Sequence, residues 1–165
     1  MSDAQELHTL PLKDYFNRVA LLLSRGVDLS QLTDLFTQQP YEEARPYLIW
    51  RKLKPSDPRF SLIQIIYDAA TPDKINAIYW DFAINLSELS AIFGPYNWHN
   101  EPYSESTAFV FPSPNPAVSL VKTRHPQWLT ALPNEAGFGY VDRESGERMV
   151  LSDPEFSFVQ INLQK

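Results

Sequence analysis

Proline is the residue type that most constrains how this chain can fold. The 165 residues include 14 prolines and only five glycines. Because proline fixes the backbone torsion φ and has no backbone N–H to donate, it interrupts helices and central strands. We therefore expect many short elements joined by ordered loops, with the clearest breaks at residues 55–58 (PSDP) and 112–116 (PSPNP).

The first third of the chain has the apolar spacing of helices. Residues 1–11 carry no regular pattern and are expected to form a flexible arm, whereas residues 12–54 are predicted to be mainly helical. From Leu12 onwards, apolar residues recur three and four positions apart, which places them on one face of a helix. Gly26 suits the left-handed conformation that ends many helices, so it marks the end of the first one.

Two further helices are predicted in the same region. Asp28 or Ser30 can cap the start of the second helix with a side-chain oxygen, and Pro40 is placed to stop it. A third, shorter helix is predicted over residues 41–52, although Pro46 within it would remove one helical hydrogen bond.

The remainder, residues 60–165, is predicted to be mainly β-sheet. Residues 60–67 and 75–82 are rich in β-branched and aromatic residues, and we expect them to pair as an antiparallel hairpin. A short helix is predicted at residues 125–132. Further strands are predicted where similar short runs lie between turn residues, at 107–111, 117–123, 138–142, 147–151 and 156–163.

Alternation along the last of these strands divides its side chains between two faces. One face is expected to carry Phe156, Phe158, Gln160 and Asn162. The opposite face is expected to carry Val159, Ile161 and Leu163.

The clearest local structure is a short helix at residues 86–93. Asn85 can serve as its N-cap, and Glu88 lies three residues later, where a side chain reaches back in a capping box. Gly94 followed by Pro95 then ends the helix in the order that C-terminal chemistry favours.

Together these elements predict one domain, residues 1–165, of the α+β class. We expect N-terminal helices packed on one face of a largely antiparallel sheet, with a β-β-α-β-β middle section. Strands joined by hairpin-length turns favour such antiparallel pairing. No long flexible linker divides the chain, so a single domain is the default expectation.

The composition disfavours several classes of function. The formal net charge is −6, which makes nucleic acid a poor partner because phosphate groups would be repelled. Cysteine is absent, which excludes disulfides and thiolate-bound metals and fits a reducing compartment. The polar start of the chain and the lack of a long apolar stretch lead us to expect a cytoplasmic protein that does not enter a membrane.

Sequence motifs for catalysis, cofactors and metals are lacking. The chain has no Gly-x-Ser-x-Gly elbow and no phosphate-binding Gly-x-x-x-x-Gly-Lys loop. Gly137 and Gly139 begin a Gly-x-Gly pattern, but Asp142 occupies the position of the third glycine. We therefore predict neither a cofactor nor a metal ion.

Acid–base chemistry has three candidate residues, namely Asp81, His99 and His125. If Asp81 faced the core, burial would raise its pKa and suit it to act as a general base. Strand alternation instead groups Asp81 with Tyr79 and opposite the more apolar Trp80, so we expect a solvated carboxylate. An exposed His99 would titrate near neutral pH.

Residues 96–103 form the candidate binding segment, and they are predicted to be a polar loop with three aromatic rings. Exposed rings serve as rigid contacts for a partner, and polar side chains between them supply adaptable hydrogen bonds. The alternative is that Tyr96 and Trp98 fold back over the edge of the core. The predicted binding residues are Tyr96, Trp98, His99, Glu101 and Tyr103.

The sequence does not determine the function, and two hypotheses remain. The first is a non-enzymatic cytoplasmic interaction module that binds another protein through residues 96–103. Small size, acidic charge and missing motifs favour it. The alternative is a small-molecule-binding domain, or a small enzyme with an isolated acid or base in an apolar pocket. That alternative predicts a cavity lined by Ile63, Ile65, Trp80 and Phe109.

Overall fold

The structure is a computed structural model, and it describes residues 7–26, 28–37, 48–68, 70, 75–112, 118–133 and 137–163. No helix in this part of the chain has the length and apolar character needed to cross a membrane. Residues 7–9 are helical, and the longer helices are α1 (Leu12–Ser24), α2 (Leu29–Phe36) and α3 (Leu86–Phe93). The strands are β1 (Leu48–Leu53), β2 (Leu62–Asp68), β3 (Ile75–Asn85), β4 (Asn97–Glu101), β5 (Ser106–Pro112), β6 (Val118–His125), β7 (Thr130–Ala131), β8 (Phe138–Val141), β9 (Arg148–Leu151) and β10 (Glu155–Leu163).

Seven of these strands form one sheet, in the order β1-β2-β3-β10-β6-β5-β4. All neighbouring strands in it pair antiparallel. The last strand, β10, lies at the centre and joins β1–β3 on one side to β4–β6 on the other. A smaller antiparallel sheet has the order β7-β8-β9. The mixed α+β class with a large antiparallel sheet is as predicted.

The core centres on Trp80 of β3. Its ring meets those of Phe16, Phe36 and Tyr15 edge-on, with centroids 5.3, 5.7 and 6.5 Å away, respectively. The indole Nε1–H donates a hydrogen bond to the Tyr15 hydroxyl oxygen at 2.8 Å, and all four side chains are buried. A buried donor is costly to leave unpaired, so this bond fixes how α1 lies on the sheet.

A second group of aromatic rings extends the core towards β4. Phe109 of β5 contacts Tyr96, Phe138 and Phe156, with ring centroids 5.5, 5.4 and 5.1 Å away. Because Phe138 belongs to β8, this contact brings the small sheet onto the face of the large sheet that the helices also cover. The buried residues of both sheets and the helices belong to one hydrophobic cluster.

The predicted end of the first helix and the predicted cap of the second are confirmed, whereas the second helix already ends at Phe36 and Pro40 lies outside the described residues. Gly26 follows α1 with a positive φ of 77°, the left-handed conformation that glycine adopts readily. Asp28 caps α2, because its side chain accepts from the Gln31 N–H at 2.9 Å while the Gln31 side chain accepts from the Asp28 N–H at 3.0 Å.

Helix α3 has its predicted limits but not its predicted cap. Asn85 is the N-cap residue, yet its side chain makes no capping hydrogen bond. Instead, the Asp153 carboxylate accepts from the backbone N–H of Ser87 at 2.9 Å and from its hydroxyl at 2.5 Å. The predicted capping box is therefore wrong, because a carboxylate 66 residues away in sequence takes its place.

Three stretches differ from their predicted local structure. Residues 48–52 belong to β1 rather than to a helix, while residues 41–47 of that predicted helix lie outside the described residues. Residues 97–101, predicted as loop, form the edge strand β4. Residues 125–132 form no helix, and 130–131 pair with β8 instead. In each case pairing with a neighbouring strand outweighs the local pattern.

The predicted flexible arm is also corrected where the structure describes it. Leu7 is buried, and residues 7–9 are helical. The guanidinium of Arg59 donates to the carbonyl of Leu7 at 2.8 Å and also to the carbonyl of Leu10. Charge-assisted hydrogen bonds of this kind fasten the segment to the loop before β2.

Strand β10 contains a bulge that simple alternation did not predict. The register against β3 shifts between Phe156 and Phe158, so these two rings lie on opposite faces of the sheet. Phe156 joins the core, whereas Phe158 stacks on Tyr79 on the other face. An extra residue in one strand reverses the side-chain alternation beyond it.

We predict that Asp153→Ala lowers the free energy of unfolding by about 1 kcal/mol, because the first turn of α3 loses its cap. Glu88→Ala is the matched control, since the sequence predicts Glu88 as the capping-box partner of Asn85, whereas the structure assigns the cap to Asp153. That substitution should lower the free energy of unfolding by only about 0.3 kcal/mol, because Glu88 interacts weakly with the helix dipole. Urea unfolding followed by circular dichroism measures both, and an equal loss for the two variants would contradict the observed cap.

Candidate functional site

The predicted binding segment is an edge strand followed by a turn. Strand β4 pairs with β5 along its length. The rings of Tyr96 and Trp98 are partly buried on the core side, with centroids 5.5 Å from Phe109 and 5.3 Å from Phe138. These two rings therefore anchor the strand and do not form an exposed aromatic patch.

The third ring of the segment, Tyr103, is fully exposed in the turn after β4. Two residues earlier, the carbonyl of Glu101 accepts a hydrogen bond of 3.2 Å from Nε1 of Trp128, whose side chain is 47% exposed. Trp128 and the exposed Val141 of β8 line the same cleft. We call Tyr103, Trp128 and Val141 the aromatic tip.

The cleft at the aromatic tip is shallow and has a volume of about 240 Å³. Pro126 and Gln127 contribute to its wall. An exposed ion pair crosses its rim, where the Arg143 guanidinium lies 2.9 Å from the Glu105 carboxylate. Such an exposed pair adds little stability, so a partner can displace it at small cost.

The turns that carry the aromatic tip have an excess of acidic groups. Residues 102–105 and 141–148 contain four carboxylates and two guanidinium groups, namely Glu105, Asp142, Glu144, Glu147, Arg143 and Arg148. This local balance has the same sign as the net charge of the whole chain. The tip therefore presents exposed rings in an acidic surrounding.

A second surface lies on the face of the large sheet opposite the helices. The register across four neighbouring strands aligns Gln64 of β2, Tyr79 of β3, Gln160 of β10 and Lys122 of β6. Alternate residues of a strand point to opposite faces, so these side chains point away from the core that Trp80 occupies. We call Gln64, Tyr79, Gln160 and Lys122 the polar row.

Glu101 pairs with two cations beside the polar row. Its Oε1 accepts a short hydrogen bond of 2.5 Å from Nε of Arg124 and lies 3.9 Å from Nζ of Lys122. Partial burial opposes ionisation, but the hydrogen bond and charge of Arg124, with a smaller effect of Lys122, lower the pKa of Glu101. Burial and the neighbouring Arg124 lower the pKa of Lys122, against the attraction of Glu101.

Aromatic rings continue the polar row along one side. The rings of Tyr79 and Phe158 are stacked, with centroids 5.8 Å apart and planes only 8° apart, and Trp50 lies 5.6 Å from Tyr79. Burial raises the pKa of Tyr79, while the charge and hydrogen bond of Arg124 oppose the shift. At neutral pH the phenol therefore keeps its proton and can donate a hydrogen bond.

Gln160 is the most buried side chain of the polar row, with 8% of its surface exposed. Its amide Nε2 donates a hydrogen bond of 2.6 Å to Oδ1 of Asn162. No donor among the described residues reaches its carbonyl oxygen Oε1. Buried acceptors almost always have a partner, so this oxygen is an exception that requires an explanation.

Asp81 lies on the same face as the polar row and is half-buried. Both of its carboxylate oxygens are 3.4 Å from Nε2 of Gln64. Burial raises the pKa of Asp81, and the hydrogen bond from Gln64 and the charge of Lys52 oppose this shift. The carboxylate thus faces away from the core, as strand alternation predicts, but it is less solvated than we expected.

The three acid–base candidates do not converge on one site. His99 is exposed and lies opposite Ala108 on the face that also carries Asp81. His125 is buried on the core side, with Nδ1 accepting a hydrogen bond of 3.2 Å from the N–H of Gln127. Burial lowers the pKa of His125. Among the described residues, no three His, Asp or Glu side chains are grouped so that they could hold a metal ion.

The region where the alternative hypothesis requires a cavity is packed with aromatic and aliphatic side chains. Ile63, Ile65, Trp80 and Phe109 each have no exposed surface and belong to the hydrophobic cluster. An apolar groove of about 360 Å³ lies elsewhere, between α1, α3 and strands β5 and β6. Among the described residues its lining includes Asn17 but no titratable side chain: Phe16, Asn17, Ala20, Ile92, Phe93, Phe111, Pro112, Val118, Val121 and Ile161.

Comparisons of the chain with protein-family models, with curated proteins and with solved structures found no match. The fold alone does not identify a function, because one architecture serves many unrelated activities. The function therefore has to be inferred from the aromatic tip, the polar row and the apolar groove.

We predict that His125 makes stability fall on mild acidification. Its pKa is lower in the folded protein than in the unfolded chain, so the unfolded state takes up the proton first. This loss begins as the pH falls through about 6.5, the usual value for histidine. Urea unfolding between pH 7.5 and pH 5 should show a weaker pH dependence for His125→Gln than for the wild type. Equal slopes for the two proteins would contradict the burial of His125.

We predict that Asp81→Asn raises the melting temperature at pH 7. Folding half-buries the Asp81 carboxylate, so its charged form is less favourable in the folded protein than in the unfolded chain. The pKa of Asp81 is raised on folding, so the wild type gains relative stability as the pH falls through it, and the advantage of the variant should vanish in acid. Differential scanning calorimetry at pH 7 and pH 3.5 measures the difference.

Proposed function

We propose that this protein is a non-enzymatic interaction module that binds a positively charged segment of another protein at its aromatic tip. The observation that carries the proposal is the exposure of Tyr103 and Trp128 in an acidic surrounding. Exposed apolar patches on single domains are frequently sites of protein interaction, and Tyr and Trp supply much of the binding energy at such sites.

The chemistry of the tip favours a cationic partner. The faces of Tyr and Trp rings attract Lys and Arg side chains, and each such contact contributes about 0.5–1 kcal/mol at an exposed site. Four carboxylates against two guanidinium groups in the surrounding turns add a long-range attraction for the same partner. Complementary charges of this kind mainly increase the association rate and make binding sensitive to salt.

The predicted binding residues divide between two tasks in this proposal. Tyr103 contacts the partner directly, whereas Tyr96 and Trp98 hold β4 against the core and so position the turn. Glu101 supports the tip from behind, because its carbonyl accepts the hydrogen bond of Trp128. His99 lies on the polar face of the sheet and has no part in the contact.

The proposal includes a cytoplasmic location and one folded domain. The absence of cysteine supports a reducing compartment. The net charge of −6 supports a protein partner over nucleic acid, since phosphate groups would be repelled from this surface.

The second candidate function is binding of a small apolar molecule in the groove between α1 and α3. The observation that favours it is the groove of about 360 Å³ with its apolar lining. Because none of the described lining residues is titratable, we infer binding without acid–base catalysis at this groove. An apolar fluorescent dye that binds the wild type but not the Ala20→Phe variant would support this function. Tyr103→Ala is the control, and it should bind the dye as the wild type does.

A photo-crosslinking experiment tests the interaction module. A photoreactive phenylalanine analogue replaces Tyr103, and the control places the same analogue at Leu21, an exposed apolar residue on α1. In cells of the source organism, we expect position 103 to crosslink to a protein through a segment rich in Lys and Arg. Trp128→Ala should reduce the yield about tenfold, the effect of losing one central aromatic contact.

Three results would contradict the proposal. One is an equal crosslink from Leu21 and position 103, which would indicate nonspecific contact. Another is an unchanged yield with Trp128→Ala in a variant that keeps its circular dichroism spectrum. The third is a crosslinked partner segment that is acidic, since this would reverse the expected charge complementarity.

A further inference from the structure

The small sheet has an open edge at β9. The order β7-β8-β9 places β9 at one side of this sheet, and within the described part of the chain no strand pairs with its outer side. Residues 147–150 are all exposed, including 37% of Met149 and 63% of Val150. A strand edge presents unpaired N–H and C=O groups to other chains, so natural proteins usually protect it.

The hydrogen bonds of the hairpin show which backbone groups of β9 face this open edge. The pair of Asp142 and Glu147 is hydrogen-bonded, because the Asp142 N–H donates to the Glu147 carbonyl at 2.9 Å. Hydrogen-bonded and non-hydrogen-bonded pairs alternate along an antiparallel ladder, so Arg148 and Val150 occupy non-hydrogen-bonded positions opposite β8. Their N–H and C=O groups therefore point away from β8, towards the open edge.

The other sheet edges in the described part of the chain have protection that β9 lacks. Strand β7 is only two residues long, and β1 carries the cations Arg51 and Lys52. On β4, the carbonyl of Glu101 already accepts from Trp128. Strand β9 contains no proline or lysine, and its one charged side chain is Arg148. An apolar edge of this kind is suited to pairing with another chain.

The open edge is continuous with the aromatic tip. Val141 lies directly opposite Arg148, so alternation places Val141 and Val150 on the same face of the small sheet. Among the described residues, Leu21 is the one large exposed apolar side chain that lies elsewhere. The other five belong to the tip or to β9, namely Tyr103, Trp128, Val141, Met149 and Val150.

We propose that the cationic segment of the partner binds as an extended strand that pairs with β9 and enlarges the small sheet to four strands. The backbone of the segment exchanges hydrogen bonds with the outward N–H and C=O groups of Arg148 and Val150. Main-chain bonds supply affinity in such strand addition, and alternate side chains supply specificity. This inference rests on the proposed function, because it names the form in which the cationic segment binds.

The side chains of β9 indicate the sequence pattern of the added strand. Arg148 and Val150 point to one face of the small sheet, whereas Glu147 and Met149 point to the other. Side chains on neighbouring strands interact when they lie opposite each other. An apolar residue is therefore expected beside Val150, and a Lys or Arg beside Glu147. Apolar and basic residues alternate in such a strand, which also keeps its cations away from Arg148.

The charge around the open edge favours this partner over a second copy of the chain. A second copy would bring the same acidic excess to the contact, and like charges repel. Residues 141–155 carry five carboxylates against two guanidinium groups, namely Asp142, Glu144, Glu147, Asp153, Glu155, Arg143 and Arg148.

Hydrogen exchange of backbone amides, followed by NMR on the full chain, tests the strand pairing. The probe is a seven-residue peptide of alternating Val and Lys with both ends capped. In the free protein, we expect the amides of Arg148 and Val150 to exchange faster than those of Met149 and Leu151. At about nine-tenths saturation with the peptide, exchange at Arg148 and Val150 should slow about tenfold, because only the free fraction exchanges.

Two control peptides separate main-chain pairing from simple attraction of charge. N-methyl groups on the valines remove the N–H donors that would face β9 and leave every charge in place. That peptide should bind about tenfold more weakly and leave exchange at Arg148 and Val150 unchanged. A peptide with Glu in place of Lys keeps the donors but reverses the charge, and it should not slow exchange either.

Matched variants of Val150 locate the contact. Val150→Pro removes an outward N–H, and proline is tolerated at an edge position whose N–H faces solvent. It should abolish the slowing at Arg148. Val150→Thr keeps the N–H and suits a strand, so it should retain the effect. The N-methylated peptide on the wild type decides the question even if Val150→Pro fails to fold.

The indole resonance of Trp128 separates failure of this inference from failure of the proposed function. If that resonance shifts equally with the plain and N-methylated peptides while exchange at Arg148 and Val150 is unchanged, strand pairing is overturned and binding at the aromatic tip stands. If neither region responds to the Lys peptide, both are overturned. Slowed exchange on β9 without a change at Trp128 supports strand pairing and contradicts contact at the tip.

One further result would assign the open edge to a different occupant. If Arg148 and Val150 already exchange slowly in the free protein, and exchange becomes faster on dilution, a second copy of the chain occupies the edge. That result would overturn pairing with a cationic segment.

Discussion

The position of β10 at the centre of the large sheet is the constraint on which the remaining structure depends. It pairs with β3 on one side and with β6 on the other, so without it the sheet would divide into two halves. Its bulge sends Phe156 into the core and Phe158 to the opposite face. Beyond the bulge, Gln160 faces outward. The core and the polar row are therefore set by the same nine-residue strand.

Local patterns predict the elements whose hydrogen bonds are local. Helix α3 and the hairpin of β8 and β9 follow from spacing and turn residues that lie within about ten positions of each other. Interactions with residues distant in sequence are not predictable in the same way. The cap of α3 comes from Asp153, and β1 is a strand because β2 offers it a pairing edge. Contacts between residues distant in sequence therefore determine both the cap of α3 and the formation of β1.

The candidate sites were predictable only where alternation could be read. Period-two alternation places Asp81 on the face opposite Trp80, and the same rule applied to β6 would have grouped Lys122 with Arg124. It could not show that Glu101 lies against that pair, because β4 was taken for a loop. Trp128 carries no local signal, since the hydrogen bond that holds it joins its indole to the carbonyl of Glu101, 27 residues away in sequence.

The aromatic tip and the polar row depart from the rules of stable packing in opposite directions. At the aromatic tip, large apolar rings are left in water, while in the polar row an acceptor is taken out of water without a partner. The buried acceptor without a partner destabilises the isolated protein, and a single substitution could remove it. Local conflicts of this kind are expected where a sequence also serves binding. Glu101 lies between the two regions, because its backbone carbonyl accepts from Trp128 while its carboxylate pairs with Arg124 and Lys122, so one residue on an edge strand contacts both.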